Sequence, residues 1–456
     1  MKEVRKKEQN IHNNPSVLEW DGLHEKIKNR EEEIVSELIL VSHPADLAEM
    51  MERMDLEDSI FLFRKCEFEY QRKIFVELSD ELKSILAENL SLQEISRIIE
   101  DLASDEVTYL LSDLDKSTAE VLLNAIEKEE SDKIRTQLNF DENSAGRLMN
   151  LEFAVVRDTD NARKAIQVLR KIAKEIDDIY VIYVTDKLGI LKGLVHLKDL
   201  IIANPRTSVG RLTKPVQSFH YSTDQEEVAF TFKKYNLVSA PVVDDNDKII
   251  GRITVDDVLD IVEEEATEDI LRMAGVSEEE TFTSSIWESV KGRMLWLVIN
   301  LAIAMLTTSV VTIFEDTILR IVVLASLMPI VAGMGGNAGT QAITVMVRGL
   351  ATGELNDYNW GSAIRKEMIL GFTNGLVVGS VTIIVTYILK RDINISGVIG
   401  LAMLINLTLA GFVGSSVPML LKFLKIDPAI ASSIFVTACT DMFGFFCFLG
   451  LASIFL

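Results

Sequence analysis

Cysteine is almost absent from this sequence, with three in 456 residues. Cys66, Cys439 and Cys447 are scattered and form no CxxC pair, which excludes a disulfide framework or a dithiol or zinc site built on such pairs and suits a reducing compartment for the soluble part. Histidine is nearly as scarce, and the five residues at 12, 24, 43, 196 and 220 are dispersed. With no P-loop and no nucleophile elbow either, nothing points to an enzyme, and His43 before Pro44 reads as the start of a helix rather than as a ligand. The N-terminal MKEVRKKEQNIHNNPS lacks the apolar core and cleavage site of a secretory signal, so the soluble part is expected in the cytosol. Positive charge is in deficit too: a net charge of −23 has the wrong sign for a nucleic-acid partner.

What is abundant is apolar, since 48% of the residues are hydrophobic, too many for an ordinary soluble chain this acidic. The two properties separate along the chain. From Leu295 onward acids and bases balance, so the whole negative excess lies before it. The C-terminal region holds charge-poor segments long enough to cross hydrocarbon at 294–314, 321–347, 368–389, 393–421 and 428–456, the last interrupted by Asp441. Five spans in contact with membrane lipid are expected. Lys291, Arg293, Arg348, Arg365, Lys366, Lys422 and Lys425 fall on one side and Arg320, Lys390 and Arg391 on the other, which puts the N-terminus in the cytoplasm and the C-terminus outside the cell (inner) membrane.

The soluble part divides further. Residues 1–43 form an N-terminal extension. Residues 44–143, with HPADLAEMMERMD and LQEISRIIEDLASDEVTYLLSDLD, read as short amphipathic helices of an all-α superhelical domain, Asp or Ser standing at the N-caps. VIYVTDKLGILKGLVHLKDLI at 181–201 then repeats at a spacing of 58 as SAPVVDDNDKIIGRITVDDVL at 239–259, matching Asp186 to Asp244, Gly193 to Gly251 and Asp199 to Asp257. Each copy reads as strand, polar turn, strand and helix, preceded by another helix. This pattern resembles tandem α+β CBS domains, at 144–206 and 207–270. Residues 271–293 read as a connecting plug helix, amphipathic in its second half with Trp287 and Trp296 as interfacial anchors, and 294–456 as an all-α transmembrane domain of five helices.

The CBS resemblance implies an adenine nucleotide, ATP included, whose ribose is held by a Thr-x-x-Asp. Only the second copy has it, as Thr254 and Asp257, the first having no threonine three residues before Asp199; the same pattern is also an ordinary helix cap. Acids crowd behind it at Glu263, Glu264, Glu265, Glu268 and Asp269, and Asp101 and Asp105 lie one helical turn apart in the helical domain. Two readings stand: a solvated face, or hard oxygen ligands through which Mg2+ or Ca2+ draws the helical domain onto the CBS pair.

Asp441, in FVTACTDMFGFF, lies well inside a predicted span with no intramembrane Lys or Arg to pair with, and a carboxylate there is costly enough to argue for function. Thr437 and Thr440 stand beside it. PIVAGMGGNAGTQ, residues 329–341, sets Asn337, Thr340 and Gln341 among glycines 333, 335, 336 and 339, and Asn374 and Asn406 add amides on the next two spans. Such groups either line a wet path or hold helices together. Asp441, Asn337, Thr437, Thr440 and Gly336 are the candidate cation path, suited to a hydrated divalent ion, and two-fold pairing would set two Asp441 carboxylates on one axis.

With these motifs, and with HPADLAEMM, AGRLM, TVDDVLDIVEEEATEDI, IDPAI and TDMFG, the chain resembles the MgtE family of Mg2+ channels over nearly its full length. The resemblance implies a homodimeric, Mg2+-selective channel that imports Mg2+ and closes when cytosolic Mg2+ binds acids between the helical and CBS domains, with ATP tuning that response in some members. It implies that Asp441 is the pore carboxylate and that Asp427 is the cytosolic acid that meets the plug helix. It also implies that Asp257, Glu265, Glu268 and Asp269 are regulatory Mg2+ ligands whose partners are Asp101 and Asp105. Asn236 stands where some members carry an acid. The alternative is an ion-coupled secondary Mg2+ transporter or exchanger, since Asp441 alone would serve either.

Overall fold

The computed structural model describes residues 27–28, 35, 39, 42–100, 102–173, 179–277, 280, 285–356, 358–430 and 433–456. The chain divides into two compact units, Met1–Asp260 and Ile261–Leu456.

From Pro44 the described residues of the first unit form eight short helices before the repeats: α1 (Pro44–Glu52), α2 (Leu56–Lys65), α3 (Phe68–Glu77), α4 (Asp80–Asn89), α5 (Leu92–Ile99), α6 (Ser104–Asp113), α7 (Lys116–Leu123) and α8 (Lys128–Gln137). Local chemistry sets their starts. The His43 ring accepts from Ala45 N at 3.2 Å with Pro44 at the first helical position, Ser91 and Glu94 form a reciprocal capping box, and Asp115 caps α7. Connections of two to four residues leave consecutive helices no choice but to pack on one another, around Leu62, Phe63, Ile74, Phe75, Leu86, Ile95 and Val107.

After the single turn α9 (Ala145–Leu148), two copies of one topology follow. The first comprises β1 (Val155–Arg157), α10 (Ala162–Ile172), β2 (Val181–Thr185), β3 (Leu191–His196) and α11 (Leu197–Ile202). The second, after α12 (Val209–Leu212), comprises β4 (Phe219–His220), α13 (Gln225–Tyr235), β5 (Ser239–Val243), β6 (Ile249–Thr254) and α14 (Val255–Ala274). In each sheet the first two strands are parallel and the last two antiparallel, with Val156 opposite Val184 and Ile182 opposite Val195, then Phe219 opposite Val242 and Ala240 opposite Ile253. The residues matched by the repeat do matching work. Asp186 Oδ1 accepts from Leu188 N and Ile190 N at 2.8 and 3.0 Å, and Asp244 Oδ1 accepts from Asn246 N and Lys248 N, both at 2.9 Å. A Cβ at Gly193 would stand 2.1 Å from the Lys214 carbonyl oxygen, and one at Gly251 would stand 2.5 Å from the Met149 sulfur, so each glycine admits an adjoining segment against its strand. A buried hydrogen bond of 2.7 Å between the Tyr183 and Ser239 hydroxyls joins the two sheets.

The second unit takes up α14 at Ile261 and continues with α15 (Ile286–Ile313), α16 (Glu315–Arg320), α17 (Val323–Ala351), α18 (Trp360–Lys390), α19 (Ile393–Phe423), a 3-10 turn (Pro428–Ile430) and α20 (Ser433–Phe455). The separate connecting helix expected over 271–293 is not found among the described residues. Its first residues complete α14, and from Ile286 onward they open α15, which starts at a Ser285–Glu288 capping box and meets no proline before its end. Among the described residues four helices, α15, α18, α19 and α20, are long and apolar enough to cross a membrane. The fifth expected span corresponds to α17, whose 29 residues suffice in length while its glycines, Asn337 and Gln341 dilute its apolar character. Its Leu324, Leu327 and Val331 are nonetheless buried with Ile399, Met403 and Leu407 of α19 and Phe448 and Leu449 of α20.

Small residues set the helix spacing here. A Cβ on Gly371 of α18 would stand 2.4 Å from the Leu407 carbonyl oxygen, and one on Gly414 of α19 would stand 2.6 Å from the Gly339 carbonyl oxygen of α17. Backbone cannot yield as a side chain can. Gly414→Val should therefore cost roughly 1–3 kcal/mol or more, read as a lower melting midpoint of the detergent-solubilised protein; an unchanged midpoint would contradict this packing.

Candidate cation path and regulatory acids

A cavity of about 290 Å³ lies between α15 and α20, lined by Asn300, Ile303, Ala304 and Thr307 on one side and by Ser433, Ile434, Thr437, Ala438 and Asp441 on the other. Thr437 and Asp441 share a face because they are one helical turn apart. The Asp441 Oδ1 is buried and has no hydrogen-bond partner among the described residues. At about 30 Å³ of liquid volume per water, six waters need roughly 180 Å³, so the cavity has room for a cation with its hydration shell.

The other polar residues of the expected path divide. Gly336 is a contact residue, for a Cβ there would stand 3.1 Å from the Thr437 methyl carbon, and one at Gly339 would stand 2.4 Å from Val436. These glycines bring α17 close against α20. Thr440 is fully buried, outside the cavity lining, and its hydroxyl donates to the Thr437 carbonyl at 2.9 Å, so its proton is committed within the helix. Asn337 and Gln341 sit on an exposed face of α17, and Asn374 is exposed on α18. Asn406 is helix glue: it is buried, its amide donates to the Val331 carbonyl at 3.0 Å, and the bare backbones of Gly335 and Gly444 make room for it. The expectation missed Asn300, Thr307 and Ser433. Asn300 was legible as the lone amide in the charge-free stretch of α15, with Thr307 two turns on and on the same face.

In the first unit, Asp105 of α6 and Asp257 of α14 lie close enough to act on each other. Burial first, then the charges of Asp257, Glu106 and Glu152, pushes the Asp105 carboxyl well above the usual carboxylate range. Burial likewise raises Asp257 to about 6, against the opposing Thr254 hydroxyl. That hydroxyl donates to Asp257 Oδ2 at 2.6 Å, and Thr254 N donates to the same oxygen at 3.0 Å. The matching Asp199 has no threonine and pairs instead with Lys214 Nζ at 2.7 Å. The segment after α9 organises the acids: Asn150 Nδ2 donates to Asp105 Oδ1 at 3.3 Å while its backbone pairs with Arg252, and Glu152 accepts from the Ser104 amide and hydroxyl at the start of α6. Asp101 lies outside the described residues.

In the second unit, Glu265, Glu268, Asp269 and Arg272 follow one another on the last turns of α14. Arg272 pairs with both Glu268 and Asp427, and Asp427 Oδ1 accepts from Ala429 N at 2.8 Å at the head of the 3-10 turn. Burial, then the charges of Asp427 and Glu265, raises Asp269 to about 6, with Arg272 opposing. Met273 packs among Ile343, Val347, Ala429 and Val436, and Gly275 (φ +72) turns the chain beside Ile434. Arg272 had no role in the sequence reading.

Similarity to known proteins bears on these sites. The chain is 34% identical to the magnesium transporter MgtE of Enterococcus faecalis over 325 residues, 71% of this chain and 72% of that protein. It belongs to the MgtE family of magnesium transporters. The Thermus thermophilus MgtE is 34% identical over 330 residues, again covering 71% and 72%. A family model for MgtE, described as a divalent cation transporter, matches residues 328–451, one for the MgtE intracellular N domain matches 42–143, and one for a CBS domain matches 209–264. A solved cytosolic domain of the Mg2+ channel MgtE in complex with ATP is 29% identical, with a TM-score of 0.50 over 53% of this chain and 99% of that one.

As an MgtE protein the chain is a multi-pass member of a magnesium-transporter family rather than of an enzyme family. Its acids suit a regulatory hard cation in two respects: every donor is oxygen, and burial first, with neighbouring carboxylates second, holds Asp105 and Asp257 above the ordinary range, which a cation beside them would relieve. Among the described residues no three His, Cys, Asp or Glu side chains gather at one point, so a cation at such a pair would keep much of its water. For a nucleotide, Asp257 offers Oδ1 only, since Oδ2 is held by Thr254.

Proposed function

We propose that this protein is a homodimeric, Mg2+-selective channel that carries Mg2+ into the cell and closes when cytosolic Mg2+ loads the acids of its soluble domains. The reading takes α15 and α17–α20 as five spans, with the N-terminus cytoplasmic and the C-terminus outside, and keeps the helical domain at 44–143 and CBS repeats at 144–206 and 207–270. Asp441 supplies the carboxylate of the path and Thr437 a hydroxyl beside it. Asp105 with Asp257, and Glu265, Glu268 and Asp269 with Asp427, bind the regulatory ion, which neutralises facing carboxylates and so favours closure. ATP at Thr254 and Asp257 shares a carboxylate with that ion.

The observation that carries the reading is an unpaired intramembrane carboxylate in a cavity large enough for a hydrated ion. Single-channel recording in inside-out patches tests it, with cytosolic Mg2+ stepped from zero to about 10 mM, a range suited to weak, water-mediated sites. Unitary openings that vanish as Mg2+ rises are expected. Flux that appears only under a second ion gradient would replace the channel by a coupled transporter.

A further inference from the structure

We propose that Arg272 is a built-in cation that occupies the Asp427–Glu268 carboxylate pair and competes there with the divalent ion, so setting the Mg2+ concentration at which this cluster loads. The inference rests on the regulatory role proposed above for Glu268 and Asp427 and goes beyond it, because it assigns the threshold to a residue that binds no metal.

The argument is one of shared ligands. One guanidinium nitrogen of Arg272 reaches Glu268 on its own helix, one turn earlier, and Asp427 across the start of the 3-10 turn. Arg272 therefore sits in the position a bridging divalent ion would take. A guanidinium is charged at every physiological pH, is weakly hydrated and meets carboxylates in a fixed fork, so it holds the pair without titrating. It brings one positive charge to the two carboxylates it holds, Glu268 and Asp427, while Asp427 and Glu265 also act on Asp269; a divalent ion would bring two. The cluster is thus left under-neutralised, and a divalent ion gains by displacing the guanidinium at high concentration only. Arg272 cannot drift far, because the next residue, Met273, is held among Ile343, Val347, Ala429 and Val436. Its local concentration at Asp427 is therefore high and constant, which makes it a competitor of fixed strength.

The test uses the full-length protein in detergent and follows the Mg2+ concentration giving half-maximal protection from chymotrypsin, a protease that does not cut at arginine. In Arg272→Gln the midpoint is expected to fall about tenfold, as for one removed competing charge near the site. Arg272→Lys, which keeps the charge, should stay close to wild type, and in an Asp427→Asn background Arg272→Gln should produce no further shift. A midpoint in Arg272→Gln that is unchanged, or higher because a structural tie was cut, overturns the competition while leaving the sensor reading intact. Wild type that gains no protection from Mg2+ overturns both. Size-exclusion profiles of the Lys and Gln variants matching wild type exclude misfolding as the source of either result.

Discussion

Asp441→Ala should lower Mg2+ flux into proteoliposomes by about a hundredfold, equivalent to ~3 kcal/mol of lost ion stabilisation, as followed with an entrapped Mg2+ dye. The effect is expected to be this large because Asp441 is the carboxylate of the cavity, and the remaining polar lining, Asn300, Thr307, Ser433 and Thr437, offers only neutral dipoles. Asp441→Asn preserves the volume and should lose nearly as much, which assigns the effect to charge. Thr440→Val is the contrast: its buried hydroxyl bonds within its own helix at 2.9 Å and stands outside the cavity lining, so flux should change less than threefold. If Asp441→Asn conducts like wild type, the cavity is not the path.

The second large effect is expected at Asp257. Its carboxyl is raised to about 6 and that of Asp105 is raised as well, so the folded arrangement binds protons more tightly than the unfolded chain. The sign follows. These two groups favour the folded arrangement fully at pH below the ordinary carboxylate range, and that favour declines as pH climbs through about 6 and Asp257 takes on its charge in a buried place beside Asp105. In EDTA, then, the helical domain should resist chymotrypsin better at pH 5 than at pH 7.5, and millimolar Mg2+ should restore the resistance at pH 7.5. Asp257→Asn removes one of the facing charges. It should be resistant in EDTA at both pH values and respond less than one-tenth as strongly to Mg2+, since a neutral amide is a poor ligand for a hard cation. Resistance in wild type that rises with pH in EDTA would contradict the mutual repulsion of Asp105 and Asp257.

Much of this was legible from spacing. The repeat at 58 residues anticipated two sheets of one topology, down to Asp186 and Asp244 closing equivalent turns, because a tight turn demands a side-chain acceptor at a fixed offset. The fate of the amides was not legible. Asn337 and Asn406 have the same chemistry on neighbouring helices, yet one is exposed and the other is locked between glycines, and which happens depends on helix rotation that charge-free segments do not encode. The connecting helix was misjudged for a related reason: amphipathicity changes near Arg293, but nothing there breaks the backbone, so one helix runs through both environments. Arg272 escaped notice because its partner Asp427 lies 155 residues away, and a lone arginine among acids reads as ordinary surface charge.

The way Asn406 is set between Gly335 and Gly444 reaches beyond packing. It ties α17, α19 and α20 into a single block, whereas α15 buries only Thr307 among its residues. Amide hydrogens of the three tied helices should exchange only on the timescale of global unfolding, while those facing the cavity from α15 should exchange orders of magnitude sooner, by local opening. The cavity would then have a wall with a long memory and a wall with a short one, and any small molecule wedged between them would be felt first, as slowed exchange, in the backbone around Asn300.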